Sequence, residues 1–293
     1  IQNLALSPKG HVVAGTGAHL KLVKGSHIVV SRISNVAGND AYILQNKDGR
    51  VIFILPFEKK FHLIGTTDVN FDGDLASIQC SEEEEKYLLE AANLYLQMPL
   101  TSKDILWRFS GVRPLKSPGT QQKLAALSRD YHLELQGRGH GSALLTIIGG
   151  KVTTYRRLSE EVLEKLRPEF PFMGKKWTEG FPLPGGNMPN AEYASFLKNF
   201  QKQFPWLPPL ISEGLAQRHG MLVEEILNDA RNVSDLGSNL GYGLCEREVL
   251  YFKEREWAHT AEDVLWRRTK VGLHLSDPYK REEVSKKIEG IMT

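Results

Sequence analysis

The sequence predicts an α/β (α+β) protein: a mixed β-sheet domain closing in a strand–turn–helix unit, then an all-helical C-terminal domain. Three observations carry this. β-Branched and aromatic runs of strand length crowd residues 26–67. An apolar run at 143–148 passes through Gly149-Gly150 into a helical pattern. Beyond the turn-rich stretch FPLPGGN at 181–187, every apolar pattern has helical spacing.

In chain order, residues 26–32, 41–46, 51–56 and 61–67 read as strands, and Lys47-Asp48-Gly49 as a hairpin turn. Ser81 opens a helix and Glu84 completes its capping box; Tyr87, Leu88, Ala91, Leu94 and Tyr95 then recur at helical spacing. Strand-like text returns at 105–113 and 123–135, and GRGHG at 137–141 links it to the run at 143–148, which reads as a buried strand. The following helix gathers Tyr155, Leu158, Val162, Leu163 and Leu166 on one face. Helical patterns cover about 191–204, 212–231, 246–257, 261–273 and 278–290, the last with Asp277 as N-cap and Pro278 in first position. The domains implied are 1–184, containing the strand–helix unit at about 142–170, and 185–293.

Composition narrows the function. The 293 residues are 41% hydrophobic and 25% charged, ordinary for a globular protein, and a net charge of +2 gives no reason to expect nucleic acid. Cys80 and Cys245 have neither metal spacing nor a disulfide framework and read as reduced thiols. No apolar run approaches the ~18 residues of a membrane span, and no secretory signal is visible. The chain starts at Ile1 without a methionine, as a processed or truncated piece would.

The turn at Gly149-Gly150-Lys151-Val152-Thr153 is the most informative local feature. Two glycines let a ligand approach the backbone, and the helix that follows begins with unpaired N–H groups and a partial positive charge. That is a seat for an anion or for a ring oxygen that gains charge; the plain alternative is a tight turn with an exposed lysine. Arg113, in GVRPL, and Arg129, in SRDY on an alternating strand, have the planar forks that suit carboxylate or phosphate. Either meets an anionic ligand or pairs with Asp130 or another acid. His27, in KGSHIVV, is a core histidine or a base in a cleft.

Other motifs fall short. DVNFDG at 68–73 resembles the opening of a calcium loop, but Gln79 stands where a glutamate belongs, so it reads as an Asn/Asp/Gly turn. GTGAHL at 15–20 lacks the third glycine and the helix of a dinucleotide fingerprint. Gly150-Lys151 is no P-loop, because Val152 replaces the Ser/Thr and Leu145 the first glycine. No metal site is expected. The basic run WRRTK at 266–270 reads as a face paired with Glu262 and Asp263; contact with an anionic membrane is the lesser alternative.

Taken together, KGSHIVV (24–30), AYILQN (41–46), GTTDV (65–69), SGVRPL (110–115), SRDY (128–131), GGKVTTYRRL (149–158) and EDVLWRRTKVGL (262–273) closely resemble the FAD-dependent, respiratory and quinone-linked glycerol-3-phosphate dehydrogenases. The resemblance runs along nearly the whole chain and is weakest over 1–22 and 185–245. Ser31 departs from the proline common there. The resemblance implies a sheet-based substrate domain, the returning strand–helix of a flavin-binding domain, and a helical C-terminal domain. It implies a fragment lacking the N-terminal segment that holds the FAD pyrophosphate, inactive alone and binding FAD weakly or not at all.

By the same resemblance the enzyme oxidises sn-glycerol 3-phosphate to dihydroxyacetone phosphate, with hydride passing to flavin N5. His27 is then the base, Arg113 and Arg129 hold substrate, and Lys151 lies at the flavin edge. Gly149, Gly150, Lys151, Val152 and Thr153 face the isoalloxazine. Electrons pass to membrane quinone, which implies a cytoplasmic enzyme peripherally associated with the inner membrane, with a homodimer possible. Two alternatives from other classes stand beside it. One is a non-catalytic module serving as a docking or membrane-contact surface. The other is a different FAD-dependent oxidase of the same superfamily, disfavoured by the arginine pair.

Overall fold

A computed structural model describes residues 19–34, 36, 39–117, 127–136 and 143–293. The glycines of GTGAHL, the strand text at 123–126 and the link at 137–141 lie outside the described residues. The chain divides into two compact units, Ile1–Glu179 and Gly180–Thr293.

In the first unit, six strands form one sheet in which every described pair is antiparallel. They are β1 (His19–Ser31), β2 (Tyr42–Gln45), β3 (Val51–Phe57), β4 (Phe61–Gly65), β5 (Val69–Asn70) and β6 (Ile105–Ser117). The order is β2-β3-β4-β1-β5, with β6 on the other edge of β1. Period-2 alternation sorts the two faces. Ile28, Val30, Ile52, Ile54 and Ile64 are buried with Leu88, Leu89, Ala91 and Ala92 of α1 (Glu82–Asn93). The capping box at Ser81 and Glu84 is present, and four glutamates at 82–85 complement the helix N-terminus. The other face receives the intervening residues of β1, among them Gly25 and His27. Opposite them on β6 stand Gly111 and Phe109, and beyond these Arg113 pairs with Val23.

Strands β7 (His132–Gln136) and β8 (Leu144–Ile148) form a separate antiparallel hairpin, not part of the large sheet. The second predicted strand is thus shorter than 123–135, and Arg129 precedes it instead of riding on it. Strand β8 is less buried than its apolar run suggests: Ile148 is buried, whereas Leu144 and Ile147 are exposed. A 3-10 turn at Val152–Thr154 leads into α2 (Tyr155–Leu166), which has no fully buried residue.

The second unit is helical with one added β-hairpin, β9 (Asn239–Gly241) and β10 (Leu244–Cys245). Its helices are α3 (Tyr193–Gln203), α4 (Pro209–His219), α5 (Val223–Leu227), α6 (Glu246–Glu256), α7 (Val271–His274) and α8 (Pro278–Met292). The pattern predicted as one helix over 212–231 breaks at Gly220, whose φ is 55°. There the Gly185 carbonyl accepts a hydrogen bond from the Met221 N–H at 2.9 Å, and a Cβ on Gly220 would meet that carbonyl oxygen at 2.2 Å. The pattern over 261–273 is also interrupted. A π-helical turn at Asp263–Arg268 carries an N–H bond from Thr269 to the Val264 carbonyl at 3.0 Å, and left-handed Lys270 starts α7 anew. Val264, Leu265, Val271 and Leu273 are buried, Arg267 pairs with Asp263 and Glu262, and Arg268 pairs with Glu256. The basic run is therefore integrated by packing and ion pairs.

Between α4 and α6, the fully buried Glu248 carboxylate accepts from Arg218 Nε at 2.6 Å and Nη2 at 2.8 Å, and lies 2.8 Å from His219 Nε2. Among the described residues, no helix is long and apolar enough to cross a membrane, and no group of three or more His, Cys, Asp or Glu is placed to hold a metal. Both cysteines are free thiols; burial pushes Cys245 up to about 11.

Candidate functional site

His27 sits at the centre of β1, on the face opposite α1. Its ring stacks on Phe109 with centroids 5.0 Å apart and planes 8° off parallel. On its other flank it lies against Gly65: a Cβ there would come within 2.1 Å of His27 Cδ2, so only glycine admits the ring. Nδ1 is buried without a hydrogen-bond partner among the described residues. Burial, and then the positive charge of Arg113, hold the imidazole pKa below its ordinary value. His27 is thereby neutral at neutral pH, the state in which a histidine accepts a proton.

The two candidate arginines converge on one carboxylate. Asp68 Oδ1 accepts from Arg113 Nη1 at 2.7 Å, and Asp68 Oδ2 accepts from Arg129 Nη2 at 2.8 Å. Arg113 Nη2 also donates to Thr66 Oγ1 at 3.3 Å. Its guanidinium crosses over Gly25, where a Cβ would stand 2.6 Å from Nη2. The acid that answers the arginines is therefore Asp68 and not Asp130. The sequence places Asp68 in a turn and in the GTTDV motif without pointing to a role; its place in the same motif set as the arginines is the signal that links them. The three side chains are partly exposed, at 34% for Arg113, 49% for Arg129 and 25% for Asp68, so the cluster is open to a soluble ligand.

The Gly149–Thr153 turn adjoins this group. A Cβ on Gly149 would meet the carbonyl oxygens of Pro114 and Asp130 at 3.3 and 3.4 Å, and these residues directly follow Arg113 and Arg129. Gly150 packs on Tyr131. Both glycines have positive φ, 73° and 107°. Lys151 Nζ lies 3.9 Å from Asp130 Oδ1, a loose contact on an exposed side chain. No side chain caps the 3-10 turn at Val152–Thr154, and Val152 is 89% exposed. Among the described residues, the turn is exposed at Lys151, Val152 and Thr153. Asp68 brings Arg113 and Arg129 together, His27 stacks on Phe109 of the strand that carries Arg113, and Lys151 approaches only Asp130, the neighbour of Arg129 in sequence.

Comparison with known proteins identifies the family. Residues 6–156 match the family model described as FAD dependent oxidoreductase, and residues 176–293 match the C-terminal domain of alpha-glycerophosphate oxidase. The chain is 41% identical over 268 residues to D-erythritol 1-phosphate dehydrogenase of Brucella abortus, covering 91% of this chain and 53% of that protein. It is also 41% identical over 257 residues to glycerol-3-phosphate dehydrogenase of Pseudomonas aeruginosa, covering 88% and 49%. The chain spans about half the length of the curated relatives it matches. Its fold matches the crystal structure of glycerol-3-phosphate dehydrogenase from Bacillus halodurans complexed with FAD, with a TM-score of 0.70 at 24% identity over 96% of this chain and 58% of that one. With more than half of its length under that family model, and FAD the cofactor of the family, the chain belongs to the FAD-dependent oxidoreductases.

Proposed function

We propose that this chain is part of a longer enzyme that oxidises the C2 hydroxyl of sn-glycerol 3-phosphate to give dihydroxyacetone phosphate, and that it supplies the substrate-side groups. The observation that supports this most is the arginine pair, Arg113 and Arg129, opening on the same face of the sheet as a neutral histidine. A phosphomonoester dianion engages both guanidinium forks and a carbon–oxygen chain then extends towards His27. FAD supplies the acceptor for the hydride that leaves C2. His27 takes the hydroxyl proton as the C2–H bond gives up its hydride and the O–H electron pair forms the carbonyl; the hydride carries away both electrons, and the proton stays on the imidazole.

Gly149, Gly150, Val152 and Thr153 receive the ring of FAD, their absent or outward side chains leaving the backbone N–H groups available to it. Lys151 offers positive charge to negative charge that develops there. The sequence motifs' resemblance to the respiratory enzymes is the basis for proposing quinone as the final acceptor, reached by peripheral association with the inner membrane. Mixing the FAD-loaded full-length enzyme anaerobically with glycerol 3-phosphate should bleach the flavin absorbance, while glycerol should not; equal bleaching by both would remove the phosphate clamp from the account.

A second substrate has specific support. The Brucella abortus relative is a D-erythritol 1-phosphate dehydrogenase at 41% identity. A longer phosphorylated polyol uses the same clamp, so the ratio of kcat/KM for the two phosphates decides between them.

A further inference from the structure

Behind the site, on the face of β1 that packs against α1, lies a buried carboxylate that the proposed chemistry does not use. Glu84 is 4% exposed. Its Oε1 accepts from Ser26 Oγ at 2.9 Å and from Thr67 Oγ1 at 2.6 Å. Its Oε2 accepts from the Ser81 N–H at 3.0 Å and pairs with Lys24 Nζ at 2.7 Å. A capping box requires only the contacts with Ser81. The remaining three reach across the sheet to groups separated from Glu84 by 17 to 60 residues of chain.

Those partners are next to the site residues in sequence. Ser26 precedes His27, and Thr67 lies between Thr66 and Asp68. Strand pleating explains the division: Ser26 points to α1 while His27 points to the opposite face. The two anchored segments are also bonded to each other, the Ser26 N–H donating to Thr67 Oγ1 at 2.9 Å and the Thr67 N–H to the Ser26 carbonyl at 3.3 Å. A third segment joins through Ser26 Oγ and Ser110 Oγ, 2.7 Å apart, on the strand that carries Phe109 and Arg113. Every strand or loop that presents a candidate site group, apart from Arg129 and the glycine turn, meets this one carboxylate or its hydroxyl partners. Burial alone would raise the Glu84 pKa, but the Lys24 ion pair and the bonds from Thr67, Ser81 and Ser26 hold it below the usual glutamate value. The carboxylate stays charged, and a charged acceptor bonded to several donors is a stiff anchor.

We propose that Glu84 is a positioning residue for the oxidation, acting through Ser26 on His27 and through Thr67 on Asp68 and hence on the Arg113–Arg129 clamp. This rests on the functional reading above. It predicts a separation that packing alone does not. Ser26→Ala, which frees the His27 side, lowers chiefly the limiting rate of flavin bleaching. Thr67→Val removes the hydroxyl shared by both segments; it lowers that rate and also raises the glycerol 3-phosphate concentration giving half of it. Misplacement of reacting groups by a fraction of an ångström to 1 Å costs roughly ten- to a hundredfold in rate.

The experiment measures anaerobic bleaching per bound flavin in the FAD-loaded full-length enzyme for wild type, Ser26→Ala, Thr67→Val and Thr67→Ser, together with FAD content and apparent Kd for glycerol 3-phosphate. The inference expects about tenfold or greater loss in the first two variants and recovery of most of the rate in Thr67→Ser, which restores the hydroxyl. Wild-type rates in both Ser26→Ala and Thr67→Val overturn it. So does an equal loss in Thr67→Ser, which would assign the effect to the methyl group. If wild-type protein is itself not bleached, the functional reading fails and this inference falls with it; if only the variant pattern is absent, the functional reading stands.

Discussion

At the residue scale, the arrangement of His27, Asp68, Arg113 and Arg129 makes separable demands on kinetics. Replacing Arg113 by alanine removes one fork of the clamp and leaves Asp68 with a single partner. Loss of a charge-assisted contact of this kind costs on the order of 2 kcal/mol, or about thirtyfold in kcat/KM, with the more exposed Arg129 costing less. The effect should fall on KM for glycerol 3-phosphate and leave FAD content unchanged; normal substrate kinetics in either variant would make that arginine structural. His27→Asn should slow flavin bleaching by roughly a hundredfold if the imidazole takes the proton. The wild-type rate should fall as pH drops through the histidine pKa. Because burial and Arg113 lower that pKa, the fall belongs below the ordinary value of 6.5. An acid limb centred above 6.5 would contradict the assignment.

Much of this site was legible in the sequence. Histidine, arginine and lysine stand in motifs whose types already suggest anion binding and proton transfer. Two members were not legible for their full roles. Asp68 lies in DVNFDG, whose composition reads as a turn, and its use by two arginines depends on the register of β1 with β6 and on residues 45 and 61 positions away. Glu84 was visible as half of a capping box. That reading is right and incomplete, because no local pattern reports the second oxygen's reach to Ser26 and Thr67.

At the element scale, the sheet and α1 follow from alternation and capping, whereas the interrupted helices do not. Apolar spacing at 212–231 and 261–273 is unbroken, yet tertiary contacts decide otherwise: Gly185 occupies the space beside Gly220, and the π-helical turn ends at Thr269 and left-handed Lys270. A buried ion pair in the second unit joins α4 to α6. Removing Glu248 leaves Arg218, itself only 15% exposed, without its paired carboxylate. Breaking a buried pair in this way costs about 3–5 kcal/mol, so Glu248→Ala should lower the thermal midpoint by several degrees. An unchanged midpoint would show the pair to be dispensable. Burial alone would raise the Glu248 pKa, but Arg218 and the bonds from His219 and Arg218 hold it below 4.5. Its contribution is therefore complete above the unfolded value and is lost as pH falls through the lowered folded value.

At the scale of the whole molecule, the two units divide the labour. His27, Arg113, Arg129 and Lys151 all belong to Ile1–Glu179. The second unit carries none of these groups and is built as two apolar clusters. One is centred on Phe200, Leu215 and Leu227, the other on Leu244, Phe252 and Ile288. Reversing charge at Arg267 and Arg268 should disturb pairs with Glu256, Glu262 and Asp263. It should lower thermal stability while leaving liposome binding as in wild type; the opposite result would make this face a membrane-docking surface. The apolar residues Leu144, Ile147 and Val152 are exposed at the hairpin and glycine turn.

The central claim is that a phosphorylated polyol is oxidised on the sheet face that joins His27 to the arginine pair. Anaerobic rapid mixing of the FAD-loaded full-length enzyme with glycerol 3-phosphate tests it most directly. The account predicts saturable bleaching of the flavin, lost with glycerol and weakened by excess inorganic phosphate through competition at Arg113 and Arg129. Bleaching by glycerol at the same rate, or none with any polyol phosphate, would contradict it.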